Sequence, residues 1–338
     1  MSAVDFDLLA ELSDVSAQVD VALDTHTTYR LGGNAKALIT VESADELAQI
    51  ATCLAAHGIT TEQIFVLGRG SNVLIADNGF NGIVIKLGNG MSQSPEVPQA
   101  PPNAADDAII TLSAGCALPI AARTLAVAGL RGFEWAVGVP GTVGGAVRMN
   151  AGGHGSDIAA TIETATVVDV ATGTTQVRTH DNLALGYRSS SIQPNEVVVD
   201  ATIRLQTGDS EAALQEISEI ITWRRDNQPG GRNSGSVFTN PSASPSTDAS
   251  TVTSDPSATS AGALIEAVGG KGLQVGGAQI SPKHANFIQA NEEATAQDVI
   301  DLMTQVQNRV HEHFGIHLVP ETRLIGFDEL PKSLKAHS

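Results

Sequence analysis

The sequence predicts an α+β protein of two or three domains, and three observations carry that prediction. An apolar strand at Ala37–Val41 is followed by a helical pattern and then by a second strand, Ile64–Leu67, that runs into glycines. A β-rich stretch comes next, with strand patterns at Thr164–Val170, Thr174–Val177 and Val197–Leu205. Amphipathic helical patterns at 211–223 and 295–314 then dominate the C-terminal third. At 338 residues the chain is long enough to bury proper cores in each part.

Charge narrows the function. The formal net charge is −18, with 19 Lys and Arg against 37 Asp and Glu. A field of that sign argues against nucleic acid, whose backbone must be neutralised by cations. An anionic substrate would have to be met by a few local cations, which makes each Arg and Lys informative. Cys53 and Cys116 are two cysteines in apolar contexts, too few for a disulfide framework and too dispersed for a zinc site. The N terminus lacks the basic region and apolar run of a signal peptide, and the apolar runs are shorter than a membrane span. The expectation is a cytoplasmic protein without membrane insertion.

The elements follow in order. Residues 1–23 are acidic and weakly amphipathic and read as an N-terminal extension containing one helix. Ser43-Ala-Asp-Glu46 is a capping box for a helix with Leu47, Ile50, Ala51 and Leu54 inside and Gly58 as its stop. Residues 91–107 are Pro-rich and polar, a surface insertion or a linker between strands. After the strand Ile109–Ser113, Pro119 opens a helix that Gly129 closes, with Leu118, Ile120, Leu125 and Leu130 packing. Ser210 reads as the cap of a helix over Glu211–Trp223, with Leu214, Ile217, Ile220 and Ile221 inside, followed by a loop from Arg224 to Ser236. Residues 242–260 are rich in Ser, Thr, Asp and Pro and cannot bury enough surface to fold, so this insertion is expected to be disordered. A helix at Ala261–Val268 and another at Thr295–Phe314 bracket strand sequence at Ala278–Gln289. The second helix has a Thr295-x-x-Asp298 start, core positions Val299, Leu302, Met303, Val306 and Val310, and a Gly315 stop. A strand at His317–Val319 leads to Glu321, and the tail after Phe327 is expected to fray.

Two glycine-rich stretches stand out. Gly68-Arg-Gly-Ser-Asn72 lies between the strand Ile64–Leu67 and a strand at Val73–Ile75. It lacks the third glycine of a dinucleotide-binding fingerprint and leads into a strand rather than a helix. The second stretch, Val137 to Gly153, reads V-G-V-P-G-T-V-G-G-A-V-R-M-N-A-G-G. Glycine reaches positive φ cheaply and lets backbone approach a ligand. Consecutive N–H groups there could form an anion-binding nest. A run of tight turns in a β-rich domain is the competing reading of such a loop taken alone.

Together these two stretches resemble those of the UDP-N-acetylenolpyruvoylglucosamine reductases, flavoenzymes of bacterial cell-wall synthesis. The resemblance opens earlier with Thr25-His-Thr-Thr-Tyr-Arg-Leu-Gly-Gly33 and continues in order after the two stretches through Tyr187-Arg188-Ser-Ser, Gly235-Ser-Val-Phe-Thr-Asn-Pro241, Ser281-Pro-Lys-His-Ala-Asn-Phe287 and Pro320-Glu-Thr-Arg-Leu-Ile-Gly326. Any one motif is weak; the ordered set is specific. It implies a flavin-binding fold of the vanillyl-alcohol-oxidase/PCMH type with a separate α+β substrate domain. The implied division is 1–88 with 319–338, then 89–207, then 208–318. It implies non-covalent FAD, NADPH as reductant and UDP-N-acetylglucosamine enolpyruvate as substrate. Hydride would pass from NADPH through FAD to the enolpyruvyl carbon, giving UDP-N-acetylmuramate. A monomer is the expected state.

The resemblance also assigns residues. Arg188 would bind and polarise the substrate carboxylate, a task suited to a fixed, always-charged bidentate donor. Ser236 would donate the proton, and Glu321 would be the third catalytic position. Gly68, Arg69, Gly70, Ser71, Asn72, Gly138, Gly141, Thr142, Gly144 and Gly145 would meet the cofactor. Tyr187, Arg224, Asn240, Lys283 and Arg323 would meet the substrate. Three departures from the family pattern stand beside these: Asn227 where Lys is frequent, His154 where Tyr is common, and Gln274 where Arg is frequent. They bear on the diphosphate contacts, for which Arg224, Arg225 and Arg232 are the local replacements. No long insertion follows Arg188, as in the loop-lacking subtype.

Other classes fit less well. No G-x-S-x-G elbow surrounds Ser156, Ser234 or Ser236, which argues against a serine hydrolase. His311-Glu-His313 and His317 do not have H-E-x-x-H spacing, and no metal is expected. Two readings stay open. One is another oxidoreductase on the same flavin fold; the other is a non-catalytic flavin or nucleotide-sugar binding module.

Overall fold

The computed structural model of the protein describes residues 16–97, 107–241 and 260–337. Most of the polar insertion expected at 91–107, the disordered insertion expected at 242–260 and the first part of the N-terminal extension therefore lie outside the described residues.

In chain order the first elements are β1 (Ser16–Ala22), β2 (Asn34–Val41), α1 (Ala44–Ala56), β3 (Ile64–Leu67), β4 (Val73–Ile75) and β5 (Phe80–Leu87). Then come β6 (Asp107–Ser113), α2 (Leu118–Val127), β7 (Leu130–Arg131), a 3-10 turn at Glu134–Gly138, α3 (Val143–Met149), β8 (Gly152–Gly153) and β9 (Ser156–Asp157). The β-rich stretch supplies β10 (Ile162–Asp169), β11 (Thr174–Thr179), a short α4 (His180–Leu183) and β12 (Glu196–Thr207). The last third holds α5 (Ser210–Asn227), α6 (Ala261–Ala267), β13 (Gln274–Val275), β14 (Ala278–Ile280), β15 (Ile288–Ala290), α7 (Ala296–Phe314) and β16 (Arg323–Ile325). This is the α+β content expected.

The described residues fall into two compact units. The first takes its described residues from 16–21, Lys36–Arg69, 82–97 and 107–224, the second from Ala22–Ala35, Gly70–Asn81, 225–241 and 260–337. The units cut the chain at other points than the three-part division expected from the sequence.

The first unit has two sheets. One has strand order β1-β2-β5-β3, with β3 and β5 parallel. The other has order β11-β10-β12-β6 and is antiparallel, with β7 added beside β12. The inner face of α1, with Leu47, Ile50 and Leu54, shares a core with Ile39, Ile83, Ile85, Val168 and Val197. A second core joins α2, Phe133, Trp135 and α3 to Ile110, Ala165, Ile203 and the buried face of α5. Full burial of one such aliphatic side chain contributes about 1.5–3 kcal/mol before ordering entropy is subtracted.

In the second unit, β16 runs parallel to β4, and β13-β14-β15 form a small antiparallel sheet. The expected stripe of α7, Val299 to Val310, packs with Tyr29, Leu74, Phe238, Ile280 and Ile288. Its capping box forms in full between Thr295 and Asp298, and Gly315 ends it in the left-handed region at φ 69°. The Asp77 carboxylate adds two hydrogen bonds, from Ala296 N–H at 2.8 Å and Gln297 N–H at 3.1 Å.

Several expectations are corrected. Ser16–Ala22 is a strand, not part of a helix, and it lies at a sheet edge. Only half of the capping box at α1 forms. Ser43 accepts from Glu46 N–H at 3.1 Å, but the Glu46 carboxylate takes the N–H of Glu42 rather than that of Ser43. On α2, Ile120 is half exposed because Ala121 and Ala122 occupy the inner face. The cap of α5 is Asp209, which accepts from Glu211 N–H at 2.9 Å, while Ser210 donates to the Val127 carbonyl. That helix continues to Asn227, and its buried residues are Ala213, Ile217 and Ile220, with Leu214 and Ile221 outside. A four-three-four spacing carries the buried face from Ala213 through Ile217 and Ile220 to Arg224. Residues 317–319 form no regular strand; Val319 accepts from Thr239 N–H at 2.9 Å, and Phe238 bridges to Pro320.

Candidate active site

The glycine-rich stretch of the first unit is not a run of positive-φ turns. None of its glycines has positive φ; within it only Asn150 adopts that region, at 39°, and just after it His154 and Gly155 do, at 53° and 85°. Val143–Met149 is a seven-residue helix instead, with Thr142 as its cap. The glycines serve close approach: a Cβ on Gly144 would lie 3.1 Å from the Cβ of Ala114. The N–H groups of Val143, Gly144, Gly145 and Ala146 all have acceptors within the chain, at Cys116 O, Ala114 O, Thr142 Oγ1 and Thr142 O. They are therefore not turned outward as a nest. The two glycine loops do meet. A Cβ on Gly68 would sit 2.8 Å from Thr142 Oγ1.

Residues 152–157 form a two-residue hairpin, β8–β9, with His154 and Gly155 at its tip in the left-handed region favoured by such turns. Arg188 sits in a second tight turn, closed by hydrogen bonds both ways between Gly186 and Ser189. Its φ is 55°, and it donates from Nη2 to the Gly152 carbonyl at 3.1 Å. Its guanidinium also lies 5.3 Å from the ring centroid of Tyr187, which is itself partly exposed.

Arg224 belongs to the same unit. The positions flanking Gly138 explain its surroundings: a Cβ there would be 3.4 Å from both Arg224 Cδ and His154 Cδ2. The His154 ring packs edge-on to Trp223, centroids 5.0 Å apart. Burial works against the charge of Arg224. Burial, and then the nearby Arg224 charge, hold the His154 imidazole below its ordinary pKa. Of the three local cations the sequence offered, Arg225 pairs with Asp226 and Arg232 with Glu292. Lys86, which the sequence reading passed over, is pushed down by burial and then by the charge of Arg69. The two thus form a cationic pair in an acidic chain.

In the second unit the structure brings Ser236 and Glu321 onto adjacent segments. Glu321 N–H donates to Val237 O at 2.8 Å. The segment after Ser236 is held on its other side by Asn286, whose backbone O accepts from Val237 N–H. The Asn286 side chain bonds both the N–H and the carbonyl of Phe238. Asn233 fixes the approach to Ser236, its Oδ1 accepting from Gly235 N–H at 3.0 Å. Thr28 donates its hydroxyl to Asn233 O at 2.7 Å and its N–H to Gly70 O at 3.2 Å. The opening motif is thereby tied to both. Asn72 donates to the Glu321 carbonyl at 3.0 Å, and Arg323 N–H donates to Asn72 O. Asn240 and Lys283 have backbone partners: Asn240 Oδ1 accepts from Ala261 N–H at 3.0 Å, and Lys283 Nζ donates to Arg225 O. Burial lowers the pKa of Arg323. Arg188, Tyr187 and Arg224 belong to the first unit.

Sequence reasoning missed Asn150, Lys86, Asn233 and Thr28. Asn150 carried a usable signal, since Asn is the second choice after Gly for a left-handed helix end.

Comparisons with known proteins match both parts. A family described as an FAD binding domain matches residues 35–178, and the UDP-N-acetylenolpyruvoylglucosamine reductase C-terminal domain matches residues 227–325. The chain is 35% identical to the UDP-N-acetylenolpyruvoylglucosamine reductase of Halalkalibacterium halodurans, over 91% of this chain and 94% of that one. It is 38% identical to the protein of that name from Heliobacterium modesticaldum, over 90% and 89%. The crystal structure of the corresponding reductase of Thermus caldophilus aligns with a TM-score of 0.71 at 31% identity, covering 92% of this chain and 99% of that one.

Proposed function

The chain belongs to the UDP-N-acetylenolpyruvoylglucosamine reductase family, and we propose that it reduces UDP-N-acetylglucosamine enolpyruvate to UDP-N-acetylmuramate, a cytoplasmic step of peptidoglycan precursor synthesis. It has the FAD-binding fold that this family implies, and FAD with NADPH are its cofactors. When bound, FAD supplies the hydride transfer chemistry.

The residues present fit such a cofactor. The backbone at Gly153 and Gly155 borders open space, since a Cβ on either would meet no atom within 4 Å. Gly68 and Thr142 bring the two glycine loops together, and the Arg69–Lys86 pair offers positive charge for a phosphate. In this reading Gly68–Asn72 and Gly138–Thr142, with Gly144 and Gly145 packing behind, hold FAD without a covalent link.

Each substrate group then has a task. Arg188 binds the carboxylate of the enolpyruvyl group and stabilises the negative charge that develops on it. Glu321 orients the same end of the substrate. Ser236 protonates the carbon next to the ether oxygen, which is basic once charge has built up, so a hydroxyl of high pKa serves if it is within hydrogen-bond reach. Arg224, with His154 beside it, receives the diphosphate in place of the family's frequent lysine at Asn227. Tyr187 and Arg323 contact the substrate, and Asn240 and Lys283 support that surface from the ends of α6 and α5.

The observation that carries this reading is the placement of Ser236 and Glu321 on hydrogen-bonded neighbouring segments within a chain that matches the family along most of its length. The test is anaerobic. NADPH should bleach the flavin absorbance, and only the enolpyruvyl nucleotide should restore it. Bleaching of the oxidised flavin by simple alcohols in place of NADPH would favour another oxidoreductase on this fold, and absence of bleaching by either would favour a binding module. Acid precipitation should release all flavin to the supernatant.

A further inference from the structure

We propose that Asn150 is the positioning residue that holds Arg188 in place, an inference that rests on the reading of Arg188 as the carboxylate-binding arginine. Arg188 adopts a backbone conformation, φ 55°, that an L residue other than Gly, Asn or Asp rarely takes. Glycine would occupy that position of the turn without strain. Such conformations persist only where the surroundings over-determine them. The surroundings of Arg188 converge on Asn150.

Asn150 is 4% exposed and ends α3 in the left-handed region at φ 39°. Its side chain makes three hydrogen bonds. Nδ2 donates to Gly186 O at 3.0 Å and to the Asp157 carboxylate at 3.1 Å, and Oδ1 accepts from Ala159 N–H at 3.0 Å. Gly186 O is also the acceptor that closes the Arg188 turn, from Ser189 N–H at 3.2 Å. The bond to Asp157 fixes β9, whose partner strand β8 presents the Gly152 carbonyl to Arg188 Nη2. One amide therefore grips the turn that carries the Arg188 backbone and the hairpin that receives its side chain. A further tie, Ser190 Oγ to Arg148 O at 2.7 Å, docks the same turn on the end of α3. An apolar residue at 150 would leave buried acceptors unpaired. An aspartate would set a carboxylate against Asp157 and against the Gly186 carbonyl.

Two variants separate positioning from simple structure. Asn150→Gly keeps the left-handed backbone and removes the amide. The double variant Asn150→Asp/Asp157→Asn restores a donor–acceptor pair between 150 and 157 and leaves Oδ1 for Ala159, so the change is confined to Gly186, whose carbonyl loses its donor and faces a carboxylate oxygen. Each holoenzyme is followed by stopped flow for bleaching by NADPH and for reoxidation by the enolpyruvyl nucleotide, with Tm and bound flavin measured beside them. The expected result is reoxidation slowed about 10–100-fold, the scale of a misplaced binding group, with bleaching within about 2-fold of wild type. Arg188→Met should slow reoxidation at least as much, and adding Asn150→Gly to it should have little further effect. Wild-type reoxidation in the double variant, or equal slowing of both half-reactions, overturns the positioning role. Wild-type reoxidation in Arg188→Met overturns the underlying role of Arg188 instead, so the two failures are told apart.

Discussion

The backbone N–H of Glu321 donates to the carbonyl oxygen of Val237 at 2.8 Å, which sets the C-terminal Pro-Glu-Thr-Arg motif beside the Gly-Ser-Val-Phe motif more than 80 residues earlier. The pairing is continued by Thr239 N–H to Val319 O, so Ser236 and Glu321 are fixed by main chain rather than by long side chains.

Ser236→Ala should therefore fold, retain flavin and be bleached by NADPH at near the wild-type rate. Reoxidation by the enolpyruvyl nucleotide should slow by roughly 10²–10⁴-fold, the scale of a lost positioned acid. Stopped-flow absorbance resolves the two halves. Equal slowing of both would mean that Ser236 holds structure, and slowing of neither would move the proton to another group.

Arg224 is the cation expected to bind the diphosphate, because Arg225 and Arg232 are already engaged with Asp226 and Glu292. Arg224→Met should raise KM for the nucleotide sugar about 10-fold with kcat little changed, the mark of lost uniform binding. Arg225→Met and Arg232→Met should stay within about 2-fold. An unchanged KM in Arg224→Met would remove it from the site.

His154 should add a pH dependence to that binding. Its imidazole is held below its ordinary pKa by burial and by the Arg224 charge, so it is neutral at pH 7. Protonation places a second cation beside Arg224, and a bound anion favours that form. KM should thus fall as pH is lowered below about 6.5 in wild type, and His154→Gln should lose this fall. Parallel KM profiles for the two proteins would assign the titration to another group.

Much of this was legible in sequence. The strand–loop–strand around Gly68–Asn72 was, because apolar runs of four and three residues bound a glycine loop. The whole of α7 was too, because its capping box, apolar spacing and Gly315 agree with one another. The helix Val143–Met149 was not, since two glycines near its start oppose helix propensity, and contact with Ala114 overrides that preference. The end of α5 was missed because Arg224-Arg-Asp-Asn227 contains no stop signal before Pro229. At the site, an ordered set of motifs pointed to Ser236, Glu321 and Arg188. Nothing in Leu-Gly-Tyr-Arg-Ser-Ser announces that Arg188 is left-handed, because that conformation is imposed by residues distant in sequence.

Asp298 should make the second unit sensitive to acid. Burial acts to raise its pKa, but the N–H groups of Thr295 and Gly277 and the Thr295 hydroxyl hold the carboxyl below its ordinary range. A carboxylate whose pKa is lower folded than unfolded stabilises above the unfolded value, and that stability is lost as pH falls through the folded value. Asp298→Ala should cost about 1–2 kcal/mol at neutral pH, the scale of a lost helix cap. Urea titrations across pH should show the gap between wild type and variant closing below about pH 3.9. A gap that is constant with pH would mean that the cap, and not its ionisation, is the whole effect.

Gly68 and Thr142 give a test of how the two glycine loops depend on one another. A Cβ on Gly68 would lie 2.8 Å from Thr142 Oγ1 and 3.7 Å from Thr142 Cγ2, and the same hydroxyl caps α3 through Gly145 N–H. Gly68→Ala must push that side chain aside, which costs about 1–3 kcal/mol as overpacking and loosens the cap as well. Thr142→Ala removes the colliding hydroxyl and costs about 0.5–2 kcal/mol as a lost cap. The double variant should therefore be more stable than the sum of the two single effects predicts, by about 1 kcal/mol or more, since the residues are in contact and share one hydroxyl. Flavin affinity should follow the same pattern, weakest in Gly68→Ala and partly restored by the second substitution. Strict additivity in both Tm and flavin affinity would show that the loops yield independently of each other, and that Gly68 is required for some reason other than room for Thr142.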